Sequence, residues 1–316
     1  MFCRKTLGKA VCSFSTEFAL DLNWELELDT LTEGYGLIEG PVWDPDKGLL
    51  FSDVLGGGVF CLDGSGLVEE VILHRRGIGG MALHQENGLI VSGRNIAYKD
   101  FEGGETVVLF DRSEEKGLVG FNDITTDKAG RIYAGGLGSS PVFEDGRSPQ
   151  SENLYLIDLD GSVSVVAEDV RLTNGLGFSP DDKRLYHSDS LRRQVCVYDV
   201  KEDGSLGPKK VFAETEKGVP DGLVVSEDGA VWVALAGGGS GVAVFEPTGE
   251  LREVIQIPHP MCTSVCFGGE DLKDLYIVSG SDGLEGDSRG GVFKVRTTVS
   301  GLPVPTAKVD SRMRFN

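Results

Sequence analysis

A chain of 316 residues, 40% hydrophobic and 25% charged, has the composition of a globular protein, and a formal net charge of −20 would repel nucleic-acid phosphates and anionic membrane surfaces. That charge suits a merely soluble surface as well as a single acidic pocket that takes a cation. Cys3, Cys12, Cys61, Cys196, Cys262 and Cys266 form no Cys-x-x-Cys pair and no zinc-type or secreted-scaffold spacing, and no apolar run approaches membrane-spanning length. The expectation is a soluble, cytoplasmic protein, monomeric or weakly homo-oligomeric, with a small-molecule substrate and with no nucleic-acid or membrane partner.

Residues 1–21 read as an N-terminal extension. Arg4, Lys5 and Lys9 precede its first acid, Glu17, without the continuous apolar core of a secretory signal, and a mitochondrial-type presequence shares that charge pattern. Residues 22–28 alternate polar and apolar side chains, the mark of a half-buried strand, and belong to no repeat. In a closed ring they would pair with the last repeat.

One pattern then recurs along the chain: a short apolar strand, a turn rich in Gly, Asp and Pro, and a second apolar strand. It starts at Glu39, Gly79, Asn122, Asn174, Asp221 and Thr263, with Val219-Pro220-Asp221-Gly222 through Trp232-Val233-Ala234 as its clearest copy. Third strands follow in most units, at residues 58–62, 153–158, 194–199, 241–245 and 291–295, and fourth strands at 163–167 and 253–257. Six such units at a period of roughly 40 to 50 residues predict an all-β, six-bladed β-propeller with four-stranded antiparallel blades around a central channel. The propeller would span 22–296, leaving a C-terminal tail at 297–316. The Trp-Asp and Gly-His signatures of the commonest propeller repeat are missing, which disfavours a protein-docking propeller of that kind.

Superposing the copies puts Glu39, Asn122, Asn174 and Asp221 at one shared position, with Gly79 and Thr263 in the other two units. Inner strands line the channel and successive blades are related by rotation, so equivalent residues converge at one mouth. Two carboxylates and two amide carbonyls form a hard-oxygen set suited to one divalent ion, Ca²⁺ first, with Mg²⁺, Mn²⁺ or Zn²⁺ as alternatives. Without a cation the carboxylates would repel one another and lose hydration. The bland reading, that Asn and Asp simply precede Gly at strand entries, explains each residue singly but not four oxygen ligands at one repeat position. Loops joining second to third strands return to the same mouth and would form a pocket rim.

At these residues the chain resembles the senescence marker protein (regucalcin), gluconolactonase and luciferin-regenerating enzyme family of metal-dependent six-bladed propellers. The resemblance runs over nearly the whole chain, from Glu39 to Val295. It is carried by Glu39-Gly40-Pro41, Phe121-Asn122-Asp123, Thr173-Asn174-Gly175-Leu176, Ser188-Asp189-Ser190, Pro220-Asp221-Gly222 and Thr263-Ser264-Val265-Cys266-Phe267-Gly268-Gly269. It implies a metal held by Glu39, Asn174 and Asp221. Asn122 would be a fourth ligand, as in the related diisopropyl fluorophosphatase, or a substrate contact, and Asp221 would double as the catalytic carboxylate. Where sugar-lactone members carry an Arg before Phe-Asn-Asp, this chain has Gly120, and an acidic contact in the next loop is replaced near Ser140. That departure predicts a roomier pocket that prefers less polar or bulkier lactones over aldonolactones, with Arg94, Arg192, Arg193 or Arg289 as alternative sources of a substrate grip.

Of the histidines, His259 in Pro258-His259-Pro260 lies on a connection expected to reach the ligand mouth, as an acid or substrate contact. His187 would line the pocket or brace a blade, while His74 and His84 read as structural or exposed. Ser52-Asp53 and Ser188-Asp189, matched in two blades, read as bracing. No Gly-x-Ser-x-Gly elbow or Gly-rich phosphate loop supports a serine-hydrolase or nucleotide-binding reading. The function expected is metal-dependent lactone hydrolysis with Asp221 as base or nucleophile. The alternatives are a calcium- or small-ligand-binding propeller without catalysis, and a phosphotriesterase-like hydrolase.

Overall fold

In a computed structural model, which describes residues 27–310 apart from 74, 141, 143–147 and 149, each repeat forms one four-stranded antiparallel sheet, and six such blades surround the channel. Within blades 1 to 5 the strands run outward in chain order. The inner strands are Ile38–Asp44, Met81–His84, Gly120–Thr126, Thr173–Phe178, Val219–Val225 and Cys262–Gly268. Blade 2, whose third strand has no clear sequence signal, acquires one at Asn95–Asp100.

The burial pattern follows from this stacking. Second strands such as Gly48–Asp53 and Val231–Ala236 are buried at every position, because each lies between two neighbouring blades. They read as apolar runs, whereas outer strands such as Leu251–Gln256 show long exposed stretches. Every pair of adjacent blades encloses its own apolar cluster, so the core is a ring of interfaces instead of one central mass. Burial at about 25 cal/mol per Å² of apolar surface makes each interface a major stabilising element.

Blade 6 takes its outermost strand from the start of the chain: Leu28–Tyr35 pairs with Gly290–Arg296, from Leu28 opposite Val295 to Tyr35 opposite Gly290. The partner is the one expected, but the segment lies later than 22–28, of which residues 22–26 fall outside the described residues. Two register breaks, at Thr30/Thr32 and Glu33/Tyr35, blur the period-two signal in the strand that pairs.

Residues 297–310 run beneath the ring from blades 6 and 5 to blades 3 and 2. Leu302 N donates to Val225 O (2.9 Å), Thr126 Oγ1 donates to Pro305 O, and Lys308 N donates to Gly130 O (2.9 Å). Ala307 and Val309, both fully buried, join the core between blades 2 and 3, and His84 Nε2 lies 2.9 Å from Val309 O. Among the described residues no helix is long and apolar enough to cross a membrane.

Candidate metal centre

Inner strands of a propeller would normally point alternate side chains into and away from the channel. At the shared position the ladder breaks instead: register shifts fall between Glu39 and Val42, Phe121 and Ile124, Thr173 and Leu176, and Pro220 and Leu223. A bulge re-aims side chains and frees them from strand pairing. As a result Glu39, Asn122, Asn174 and Asp221 all line the floor of one cavity of about 610 Å³ at the channel mouth.

Asn122 Nδ2 donates to Asn174 Oδ1 (2.6 Å) and to Thr173 O (2.9 Å). Asn174 Nδ2 donates to Ser190 Oγ (2.8 Å), and Ser190 Oγ donates to Pro220 O (2.6 Å), the carbonyl just before Asp221. A single hydrogen-bonded chain therefore links the ligand positions of blades 3, 4 and 5. The other two shared positions have structural tasks. A Cβ at Gly79 would lie 2.2 Å from Asn122 Oδ1, so only glycine leaves room for that carboxamide. Thr263, fully buried, donates from Oγ1 to Ile38 O (2.6 Å), tying blade 6 to the residue ahead of Glu39.

The electrostatics are those of a cation site. Asn174 and Asp221 are buried, and Asp221 Oδ1 has no hydrogen-bond partner among the described residues. Desolvation, then repulsion from Asp221 and Asp123, holds the Glu39 carboxyl well above its ordinary range. Desolvation, then repulsion from Asp123, does the same to Asp221. Asp123 is itself pushed up to about 7 by desolvation. Orphaned and mutually repelling buried carboxylates are costly unless a counter-charge joins them, so this donor set fits a hard divalent cation. Among the described residues no group of three His, Cys, Asp or Glu side chains is placed to hold a metal, so the carboxamides of Asn122 and Asn174 are needed to complete a set.

Asp123 escaped the sequence reading. It stands where blades 1, 4 and 5 have Gly40, Gly175 and Gly222, and that exception to the repeat was the available signal.

Above the floor, the cavity wall draws one residue from each blade, two positions ahead of the shared one: Leu37, Gly77, Gly120, Leu172, Val219 and Met261. Blades 4, 5, 6 and 1 thus form an apolar crescent, and blades 2 and 3 contribute glycines, which project no side chain. The rim comes from the expected loops, with Ser140, Ser190, Ala236 and Asp282 among its residues.

Gly120 and Ser140 both line the cavity, but the free space expected at Gly120 is not there. A Cβ on Gly120 would lie 2.9 Å from Gly93 O, because the loop after the second strand of blade 2 packs onto it. Of the four arginines considered as a grip, Arg94 lines the cavity. Arg192 is held by Asp169 and Asp189, and Arg193 by the carbonyls of Thr215 and Glu216. Arg76 and Arg112, which the sequence did not single out, join Arg94 on the wall.

His259 is not brought to the cavity. It is buried in blade 6, with Nδ1 2.7 Å from Ser279 Oγ, Nε2 3.3 Å from Glu33 Oε1, and its ring edge-on to Phe293 at 4.8 Å. The residue types match a hydrolytic triad, yet Ser279 is fully buried and already bonded to Gly291 N (3.0 Å) and Gly291 O (3.3 Å). This trio fastens the N-terminal strand, through Glu33, to its blade. His187 is a brace as well, its Nε2 2.6 Å from Thr173 Oγ1. His74 lies outside the described residues.

A family model described as SMP-30/gluconolactonase/LRE-like region matches residues 37–281, the span that carries all four floor residues. The chain belongs to this family. Relatives within or close to it include the regucalcin of Xenopus laevis, 30% identical over 276 residues that cover 84% of this chain and 92% of that protein. Pentonolactonase XacC of Haloferax volcanii is 31% identical over 283 residues, covering 84% and 92%. Among solved structures, a calcium-binding protein, regucalcin from Agrobacterium tumefaciens, superposes with a TM-score of 0.77 at 22% identity, over 89% of this chain and 97% of that one, a likeness of fold.

Proposed function

We propose that this protein is a divalent-metal-dependent lactonase whose substrates are less polar than aldonolactones. The observation that carries the reading is Asp221: a buried carboxylate with one unpartnered oxygen, on a pocket floor it shares with Glu39 and two carboxamides. Glu39, Asn174, Asp221 and Asn122 would hold the cation. A bound divalent ion supplies Lewis-acid polarisation of the ester carbonyl and charge stabilisation as that carbonyl becomes tetrahedral.

Asp221, ionised once counter-charge is present, acts as base or as nucleophile. As base it takes a proton from the attacking water, the ring C–O bond breaks, and the proton passes to the departing alkoxide to give the hydroxy acid. As nucleophile it attacks the carbonyl carbon, the ring C–O bond breaks to leave an acyl-enzyme and an alkoxide that takes a proton from water, and a water then cleaves the acyl bond to restore the carboxylate. The chain Asn122–Asn174–Ser190–Pro220 keeps both amide groups from rotating, so the floor is preorganised before substrate arrives. Leu37, Leu172, Val219 and Met261 exclude water and favour alkyl or aryl substituents over polyols.

The test is a panel of aldonolactones, alkyl and aryl lactones, aryl esters and phosphotriesters, each with Ca²⁺, Mg²⁺, Mn²⁺ or Zn²⁺. Alkyl or aryl lactones are expected to show the highest kcat/KM, and Asp221→Ala should abolish their turnover. Gluconolactone as the best substrate would refute the preference. A tightly held metal with no turnover would establish ion or ligand binding instead, and phosphotriester turnover would establish a phosphotriesterase-like hydrolase.

A further inference from the structure

Between blades 2 and 3 three glycines of the cavity wall, Gly77, Gly93 and Gly120, pack backbone against backbone. A Cβ on Gly120 would lie 2.9 Å from Gly93 O, and one on Gly93 would lie 2.6 Å from Gly77 O. Three chain segments therefore meet there without side chains. The segment carrying Arg94 is pinned: Phe121 N donates to Gly93 O at 2.7 Å, and Gly93 N donates to Phe121 O at 3.2 Å. Arg94 thus starts one residue from a fixed bridge to Phe121, itself next to Asn122 on the cavity floor.

The Arg94 side chain is exposed and lines the cavity, and among the described residues no hydrogen bond or ion pair engages it. Its neighbour Arg112 differs in being paired with Glu114 at 3.0 Å. A guanidinium is a planar fork of donors that matches planar oxygen acceptors in pairs. Anchored backbone, an unengaged fork and a position on the cavity wall together describe a recognition element awaiting an acceptor.

We propose that Arg94 determines specificity in this pocket, and that the substrate is an otherwise apolar lactone carrying a planar oxygen acceptor, a carbonyl or carboxylate, on the side facing blades 2 and 3. The apolar part lies along the crescent of Leu172, Val219, Met261 and Leu37, and the acceptor lies on the opposite wall of the cavity, at Arg94. This rests on the lactonase reading above and adds the substituent that the enzyme selects.

The experiment compares three γ-butyrolactones bearing ethyl, acetamido or carboxylate at the same ring position, with the metal-loaded wild type, Arg94→Ala and Arg94→Lys. In Arg94→Ala, kcat/KM for at least one acceptor-bearing lactone should fall about tenfold or more, mainly through KM, while the ethyl compound changes less than about twofold. Arg94→Lys should restore part of a carboxylate preference and little of a carbonyl one, which identifies the acceptor. Equal losses on all three compounds, or none, would overturn the proposal while leaving lactonase activity standing. Wild-type protein inactive on all three would overturn both readings. Replacing an exposed side chain that has no partner among the described residues leaves folding intact, and matching melting temperatures check that.

Discussion

Blades 1 and 4 each contribute a buried brace carboxylate, Asp53 or Asp189, beside a floor residue, Glu39 or Asn174, and the braces meet an environment opposite to that of Asp221 on the same floor. Asp53 accepts hydrogen bonds from four backbone amides, those of Gly36, Leu37, Leu55 and Gly56, at 3.0 to 3.2 Å. Asp189, 1% exposed, accepts from Arg171 N, Leu172 N and Arg192 Nη1. Glu39 and Asn174, on the adjacent inner strands, belong to the floor, where Asp221 keeps an oxygen without a partner. The braces hold the segments that lead into Glu39 and Asn174, so satisfied carboxylates position a floor on which Asp221 keeps one oxygen unpartnered. Burial by itself therefore does not mark a site. Burial without partners does.

The comparison breaks most sharply at Asp221 and Asp53. Asp221→Ala should lower lactone kcat/KM by at least about a thousandfold, yet leave the metal-free protein as stable as wild type or more so, since a repelling buried carboxylate is gone. Asp53→Ala should do the reverse, costing about 3 kcal/mol of stability by stranding backbone amides. The folded fraction should keep kcat within about tenfold of wild type. Kinetics and urea midpoints on the same samples decide it, and equal effects of the two substitutions on stability would remove the distinction.

Titration separates the two regions next. Glu39, Asp221 and Asp123 have raised folded pKa values, so in metal-free protein they bind protons more tightly folded than unfolded. Their contribution to stability is full below the unfolded carboxylate pKa and is lost as pH rises through the folded values, with Asp123 at about 7. Calcium should therefore raise the melting temperature more at pH 8 than at pH 5, and a chelator should reverse the gain. His187 runs the other way. Burial lowers it to about 4, so stability present above its unfolded pKa falls as pH drops from about 6.5 toward 4. At most about 3 kcal/mol is at stake, and His187→Gln should flatten that limb of the pH–stability profile.

The smallest effect expected is at Ser190, which joins the two regions through Leu172 O, Asn174 and Pro220 O. Ser190→Ala should weaken cation binding by about tenfold without a measurable change in melting temperature of the metal-free form. Titration calorimetry reads it directly, and unchanged affinity would show that Asn174 needs no support.

From the sequence alone the six repeats, their shared oxygen position and the loops that form the rim were all legible. Rotational symmetry converts a repeat position into a point in space, so Glu39, Asn122, Asn174 and Asp221 could be placed together without coordinates. Everything that depended on one blade differing from the others was decided by tertiary structure. Asp123 packs beside the floor because blade 2 offers Gly80 there, where a Cβ would meet Asp123 Oδ1 at 2.7 Å. His259 turns into blade 6 because Ser279, Phe293 and Glu33, distant in the chain, supply its partners. Arg94 reaches the pocket because its loop is bonded to Phe121 across the blade boundary. Local pattern encodes which strands form and what the repeat presents to the axis. Contacts between residues far apart in sequence decide which side chains fill the remaining space, since that depends on which neighbour is small enough to admit them.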